Sequence, residues 1–154
     1  MSRAFVKEPD GAEGEELPEL RISPYRNLVT PAGIRQIEST VERLQSELTE
    51  ARAAADRAAI ARIQRDLRYW TERLRSAEVV ATSAASGRVR FGSIVTLLKQ
   101  DGERVRYQIV GEDEADPANG KISYVSPLAR LLIGADAGDV AALVDGDAEI
   151  LEIG

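Results

Sequence analysis

Between residues 28 and 80, apolar side chains recur at the spacing of a two-stranded coiled coil. Successive apolar positions are separated by 3, 4, 3, 4 and 3 residues in one series, and the same intervals recur in a second series. This heptad pattern predicts two amphipathic helices that each bury one stripe. The two series are Ile34, Ile37, Val41, Leu44, Leu48 and Ala51, then Ile60, Ile63, Leu67, Trp70, Leu74 and Ala77.

The two series are out of phase, which predicts a turn between them. One continuous helix would rotate its second stripe away from the first, whereas two helices folded back on each other keep both stripes inward. We therefore expect an antiparallel coiled-coil hairpin over residues 28–80, with its tip near residues 53–59. Trp70 belongs to the second stripe and is expected in the hairpin core.

Cap residues mark the ends of the two predicted helices. Thr30 followed by Pro31 suits the start of the first helix, and Asp56 is a suitable N-cap for the second. No glycine or proline lies between Thr49 and Arg62, and alanine-rich sequence favours helix. One long helix that pairs with a second molecule is therefore the alternative.

From residue 89 onward, the pattern changes to short alternating strands separated by turn signals. Two runs, 94–98 and 105–110, flank Asp101-Gly102, a pair typical of tight β-hairpins. Ser126 and Pro127 begin a two-turn helix that Gly134 ends. Further strands are predicted at 121–125, 140–144 and 148–153. The chain is thus predicted to be α+β, with a helical hairpin followed by an antiparallel β domain over residues 89–154.

In two segments the apolar residues do not recur at the spacing of a helix or a strand. Residues 1–27 are rich in Glu, Gly and Pro, and we expect a flexible tail because such composition buries little apolar surface. Residues 81–88 are small and polar, which predicts a linker between the two domains.

Composition narrows the possible chemistry. The 154 residues contain no cysteine and no histidine, so disulfides, thiolate chemistry and the commonest general base are excluded. The net charge of −6 argues against a free-standing nucleic-acid binder. No apolar run approaches the length of a membrane span, and no signal-peptide core precedes the helices. We expect a cytoplasmic protein without a cofactor.

The second half of the chain resembles the C-terminal domain of the Gre-type transcription elongation factors. The resemblance is carried by Gly92, by Val95–Leu97, by the run YQIVGEDEAD over 107–116, and by Gly120–Ser123 and Ser126–Gly134. It implies an FKBP-like β domain without isomerase activity, which docks on RNA polymerase beside the secondary channel. In this family the turn before the short helix forms the docking surface. The corresponding residues here are Tyr124, Val125, Ser126, Pro127, Leu128 and Arg130.

The resemblance extends to the helical hairpin, with one difference. Residues 29–33 are similar to the family's L-T-x-x-G entry into its first helix. The family carries a motif resembling G-D-x-x-E-N-A-E-Y at the hairpin tip, whose paired carboxylates help to hold a second Mg²⁺ in the polymerase active site. This motif is missing here, where the tip contains Arg52, Asp56 and Arg57. About ten residues per helix, or roughly 15 Å of reach, are missing relative to the longer members, as in Rnk-type proteins.

Two charged clusters are candidate sites. The carboxylates of Glu112, Asp113, Glu114 and Asp116 lie within five residues, but without the D-x-D-x-D-G spacing of a calcium loop. A solvated loop, or a face toward a basic partner, is the favoured interpretation over a metal site. The hairpin arginines are interpreted mainly as solvated flanks, with contact to nucleic acid as the alternative; they are Arg52, Arg57, Arg62, Arg65, Arg68, Arg73 and Arg75.

These patterns favour a regulator that binds RNA polymerase and is not itself an enzyme. It would touch nucleic acid only within the polymerase complex. Because the tip lacks a carboxylate pair, we expect no stimulation of transcript cleavage, and Asp56 is expected to cap a helix. Two alternatives stay open: a cleavage-stimulating Gre factor that uses Asp56, and an oligomeric scaffold built by intermolecular coiled coils. A monomer is the expectation.

Overall fold

The computed structural model describes residues 17–81 and 87–154. It contains two long helices, a small two-stranded sheet at their base and a curled five-stranded mixed sheet with a short helix. The helices are α1 Pro31–Ala53, α2 Arg57–Ser76 and α3 Pro127–Leu132. The strands are β1 Leu28–Val29, β2 Glu78–Val79, β3 Ile94–Lys99, β4 Arg104–Val110, β5 Lys121–Ser123, β6 Val140–Leu143 and β7 Gly146–Ile153.

Helices α1 and α2 fold back on each other, which confirms the predicted hairpin over the single long helix. The Thr30 hydroxyl caps α1 by accepting from the Gly33 amide, and the Asp56 carboxylate caps α2 by accepting from the Ala59 amide at 3.1 Å. Between the helices, Ala55 adopts a left-handed φ of 52°, which reverses the chain without glycine. The core of the hairpin consists of Leu44, Leu48, Ala51 and Ile63, with Ala59, Ile60, Leu67 and Trp70 packed against it.

A short parallel sheet, which the sequence pattern did not predict, closes the base of the hairpin. Strand β1 enters α1 and β2 follows α2, and Leu28 pairs with Glu78 while Val29 pairs with Val79. Both strands have two residues, too short for a period to be recognised.

The large sheet has the order β5-β4-β3-β7-β6; β3 and β4 form the hairpin predicted at Asp101-Gly102, and β6 and β7 form a second hairpin. The prediction of a fully antiparallel sheet needs one correction, because β5 pairs with β4 in parallel. Parallel neighbours need a longer crossover than a tight turn. Here residues 111–120, which contain two 3₁₀ turns at Glu112–Glu114 and Pro117–Asn119, return the chain so that β5 runs beside residues 108–110 of β4.

The core of the β domain lies between this sheet and α3. Helix α3 is capped by the Ser126 hydroxyl, as predicted, and buries Ala129 and Leu132. The buried set is completed by Val89, Val95, Leu97, Ile109, Ile122, Ala141, Ala148 and Ile150. Burial of apolar area on this scale supplies most of the driving force for folding.

Two predicted segments fall partly outside the described residues. Of the predicted tail, residues 1–16 lie outside them, and residues 17–27 contain no helix or strand. Of the predicted linker 81–88, residues 82–86 lie outside them. Within 17–81 and 87–154, no helix is both long enough and apolar enough to cross a membrane.

Candidate functional site

A buried ionic network joins the base of the helical hairpin to the β domain. Its centre is Arg73 on α2, which is 1% exposed. The Arg73 guanidinium donates to Asp113 at 2.6 Å and to the Asn27 side-chain oxygen at 2.8 Å, and it lies 3.7 Å from a Glu112 oxygen. The Tyr69 hydroxyl donates to the other Asp113 oxygen at 2.6 Å. A buried charge is tolerated only when its partners are in place, so this network fixes the two parts together.

The network corrects two sequence predictions. Three members of the acidic cluster, Glu112, Asp113 and Glu114, turn toward the hairpin instead of into solvent, and Glu114 is 7% exposed. Only Asp116 stays exposed, where it accepts from Asn119 at 2.6 Å. Arg73 is likewise not a solvated flank. In each case contact with the other domain, which has no local pattern, overrides the local charge pattern.

Two glycines allow this close approach. A Cβ on Gly111 would overlap the Leu28 carbonyl oxygen, and a Cβ on Gly33 would lie 2.7 Å from a Glu114 carboxylate oxygen. Beside them, the Thr30 hydroxyl accepts from the Gly33 amide and donates to Glu114. Gly33 ends the helix-entry motif and Gly111 opens the acidic run, so two motifs far apart in the chain meet at one interface.

The electrostatics of this interface favour neutral Tyr69. Burial, followed by the hydrogen bond to the charged Asp113, raises the pKa of the Tyr69 hydroxyl from 10 to about 12. Ionised Tyr69 would place a second negative charge against Asp113 and lose its donor proton. Tyr69 at this interface is therefore protonated throughout the neutral pH range.

The predicted docking residues form a continuous surface from the end of β5 into α3. Pro127 and Arg130 are exposed, and Tyr124, Val125, Ser126 and Leu128 are half-buried. Tyr124 and Leu128 also pack on the β core, and the Tyr124 ring meets the Phe91 ring edge-on at 5.5 Å. Two of the six residues of this surface are therefore anchored by the core beneath them.

The hairpin tip is structurally separate from this surface. Arg52, Asp56 and Arg57 are all exposed. The Asp56 carboxylate is used as the α2 cap, as predicted. Within the described chain, no ion pair forms at Arg52 or Arg57, and no group of three or more acidic residues is placed to hold a metal ion.

The other hairpin arginines divide between pairs and solvent. Arg65 pairs with Asp66 at 3.0 Å, Arg68 pairs with Glu19 at 2.5 Å, and Arg75 pairs with Glu72. Arg62 is exposed. Arg52, Arg57, Arg62, Arg68 and Arg75 therefore match the predicted solvated flanks, whereas Arg65 is half-buried and Arg73 is buried.

A cavity of about 80 Å³ lies where the acidic run meets the hairpin. Its walls include Ile37, Thr40, Trp70, Gly111 and Glu114. Sites for cofactors and drug-sized ligands typically occupy about 300–1,000 Å³. This cavity has room for water and does not suggest a cofactor.

Comparison with known proteins identifies relatives of this chain by sequence. Residues 84–153 match the family model described as the C-terminal part of the transcription elongation factors GreA/GreB. The transcription elongation factor GreA of Paracoccus denitrificans is 38% identical over 146 residues, which cover 94% of this chain and 86% of that protein. The transcription elongation factor GreB of Neisseria meningitidis is 47% identical over 83 residues, which cover 53% of this chain and 51% of that protein.

Among solved structures, the GreA factor homolog 1 (Gfh1) of Thermus thermophilus is 27% identical. The match covers 84% of this chain and 99% of that chain, with a TM-score of 0.40. From the sequence relatives, the chain belongs to the GreA/GreB family of transcription elongation factors.

Proposed function

We propose that this protein docks on RNA polymerase beside its secondary channel, places its helical hairpin in that channel, and does not stimulate transcript cleavage. Docking is through Tyr124, Val125, Ser126, Pro127, Leu128 and Arg130. The protein acts as a cytoplasmic monomer and is not an enzyme, since transcript cleavage belongs to the polymerase. Its hairpin meets nucleic acid only within the polymerase complex.

The observation that carries the proposal is the chemistry of the tip. A metal ion that activates water needs several oxygen ligands in a fixed arrangement. The tip offers one carboxylate, Asp56, which is already bonded to the Ala59 amide at 3.1 Å. Its exposed neighbours Arg52 and Arg57 are cations, which would repel a metal ion.

The buried base supports the positioning part of the proposal. Asp113 and Arg73 tie the hairpin to the β domain through a contact of 2.6 Å. A factor that reaches into a channel needs a defined angle between its docking surface and its helical hairpin. The network at the base supplies that angle without any partner.

A competition experiment tests the proposal. The unmodified chain is titrated into backtracked elongation complexes that contain a cleavage-competent Gre factor. We expect cleavage by the competent factor to fall as the chain occupies the channel. A variant with Pro127→Asp should lose this competition, because a charge would enter the docking surface. If cleavage does not fall when this chain is present at a saturating concentration, the proposal is contradicted.

The matched control places the same charge away from the docking surface. Val144 is fully exposed at the β6–β7 turn, so Val144→Asp should compete as the unmodified chain does. If both variants lose competition equally, docking does not depend on residues 124–130.

A further inference from the structure

The segment before the hairpin lies directly against the proposed docking surface. The Tyr25 ring stacks on Arg130 of α3, with 5.5 Å between the ring centroid and the guanidinium carbon. The Tyr124 hydroxyl donates to the Arg26 carbonyl oxygen. Two of the six proposed docking residues therefore already contact residues 25 and 26. A partner that covers residues 124–130 must also meet Tyr25.

The polar groups of this segment hold it in place. The Ser23 hydroxyl donates to Glu112 at 3.0 Å, and Arg26 pairs with Glu78 at 3.0 Å. Asn27, which is 5% exposed, donates to the Arg73 carbonyl oxygen at 2.7 Å. The segment is thus bonded to the acidic run, to β2 and to α2, and its path beside α3 is defined.

The apolar groups of the same segment face outward. Leu20, Ile22 and Tyr25 are 38%, 43% and 50% exposed. A segment that served as a cover would bury such groups against the protein and leave its polar groups in solvent. The opposite arrangement, with polar attachment and exposed apolar groups, is typical of an interaction surface.

We propose that Tyr25 is an additional docking residue, and that it forms with Arg130 an anchor for an apolar patch beside a carboxylate on RNA polymerase. This inference rests on the proposed function and extends its docking surface to the N-terminal segment. Tyrosine and arginine are enriched among residues that dominate binding energy. The stacked ring also restricts the Arg130 guanidinium before binding, which reduces the entropy lost on docking. Leu131, which is 53% exposed on α3, adds apolar area beside the anchor.

The test is a direct binding titration of the full chain to core RNA polymerase. We expect Tyr25→Ala to weaken binding by about tenfold, as truncation of an anchor residue does. Tyr25→Phe keeps the ring and should bind within about twofold of the unmodified chain. Arg130→Ala should also weaken binding. In the double variant with Tyr25→Ala, the fold-loss in affinity should be smaller than the product of the two single fold-losses.

Controls separate binding from folding. Tyr25 is half-exposed, so Tyr25→Ala should keep the thermal unfolding midpoint of the unmodified chain. Val144→Ala truncates another exposed apolar residue, at the β6–β7 turn, and should bind normally.

The possible outcomes distinguish this inference from the proposed function. If the unmodified chain binds, Pro127→Asp does not, and Tyr25→Ala binds normally, the docking surface stands and the inference is overturned. If Tyr25→Ala binds more tightly, the segment is a cover and the inference is also overturned. If the unmodified chain does not bind the polymerase, both the proposed function and its extension fail.

Discussion

The two ends of the helical hairpin are built from the same residue types and have opposite properties. At the base, Arg73 is 1% exposed and is bonded to Asp113 and Asn27. At the tip, Arg52 and Arg57 are exposed beside Asp56. An arginine and an aspartate thus form a buried ion pair between the two domains at one end. At the other end, the same residue types form a solvated, accessible surface.

The surroundings of a charged pair, and not its residue types, decide what the pair does. At the base, the low-dielectric interior strengthens each polar bond and makes a missing partner costly. At the tip, water screens the charges and leaves them available to a partner. The base should therefore govern stability and orientation, while the tip should govern the effect on transcription.

Removing Arg73 should produce the largest loss of stability. Arg73→Ala leaves Asp113 and Asn27 without their central partner, and breaking a buried ion pair costs about 3–5 kcal/mol. The measurement is the free energy of unfolding in urea. Arg75→Ala is the matched control on the same helix, because Arg75 is 72% exposed and water screens its pair with Glu72, so its loss should change stability little. Equal losses of unfolding free energy for both variants would show that the buried network at the base does not stabilise the protein more than an exposed pair does.

Adding a methyl group at Gly111 should separate the two parts. The φ of Gly111 is −70°, so alanine causes no backbone strain there, and the effect comes from overlap with the Leu28 carbonyl oxygen. Overpacking of this kind costs about 2 kcal/mol. Hydrogen exchange should quicken at β1 and β2 while β3 and β7 stay protected. An unchanged exchange rate at β1 would mean that this contact does not hold the interface.

The Tyr69 hydroxyl should make the interface sensitive to high pH. Tyr69→Phe removes a hydrogen bond to a charged acceptor and should cost about 1.5 kcal/mol below pH 10. Because the folded-state pKa is about 12 and the ordinary value is 10, the stability from this hydroxyl is complete below pH 10 and is lost as the pH rises toward 12. The stability difference between the native chain and Tyr69→Phe should therefore shrink over that interval. A constant difference would show that Tyr69 does not ionise with a raised pKa.

Changes at the tip should have the smallest effect on stability. Asp56→Ala removes the α2 cap and should cost about 1 kcal/mol, whereas Asp56→Asn should be near neutral because asparagine caps equally well. Thermal unfolding of both variants measures this. A loss from Asp56→Asn as large as that from Asp56→Ala would mean that the charge, and not the cap, stabilises the hairpin.

The sequence predicted the elements better than the contacts between them. Heptad spacing, the Thr30 and Asp56 caps and the Asp101-Gly102 turn act within a few residues, so the helical hairpin and the β3–β4 hairpin could be recognised locally. The parallel pairing of β5 depends on the path of residues 111–120, and the spacing of apolar residues does not reveal that path. The two-residue strands β1 and β2 were too short to give a signal.

The interface could not be predicted from charge patterns. Arg73 lies next to Leu74 of the heptad series, and its sequence context resembles that of the exposed Arg75. Only the acidic run across the chain, with Asp113 at its centre, distinguishes them. Gly33 and Gly111 were the available signal, because glycine inside a helix or beside an acidic run suggests close backbone approach. That signal indicated an interface but did not identify its partner residues.

The most direct test of the central claim is transcript cleavage in backtracked elongation complexes, measured together with binding of this chain to the same complexes. We expect the chain to bind and the cleavage rate to stay at the level of the polymerase alone. A cleavage rate that rises on binding and returns to that level with Asp56→Asn would contradict it, because Asp56 would then be a metal ligand and not merely a helix cap.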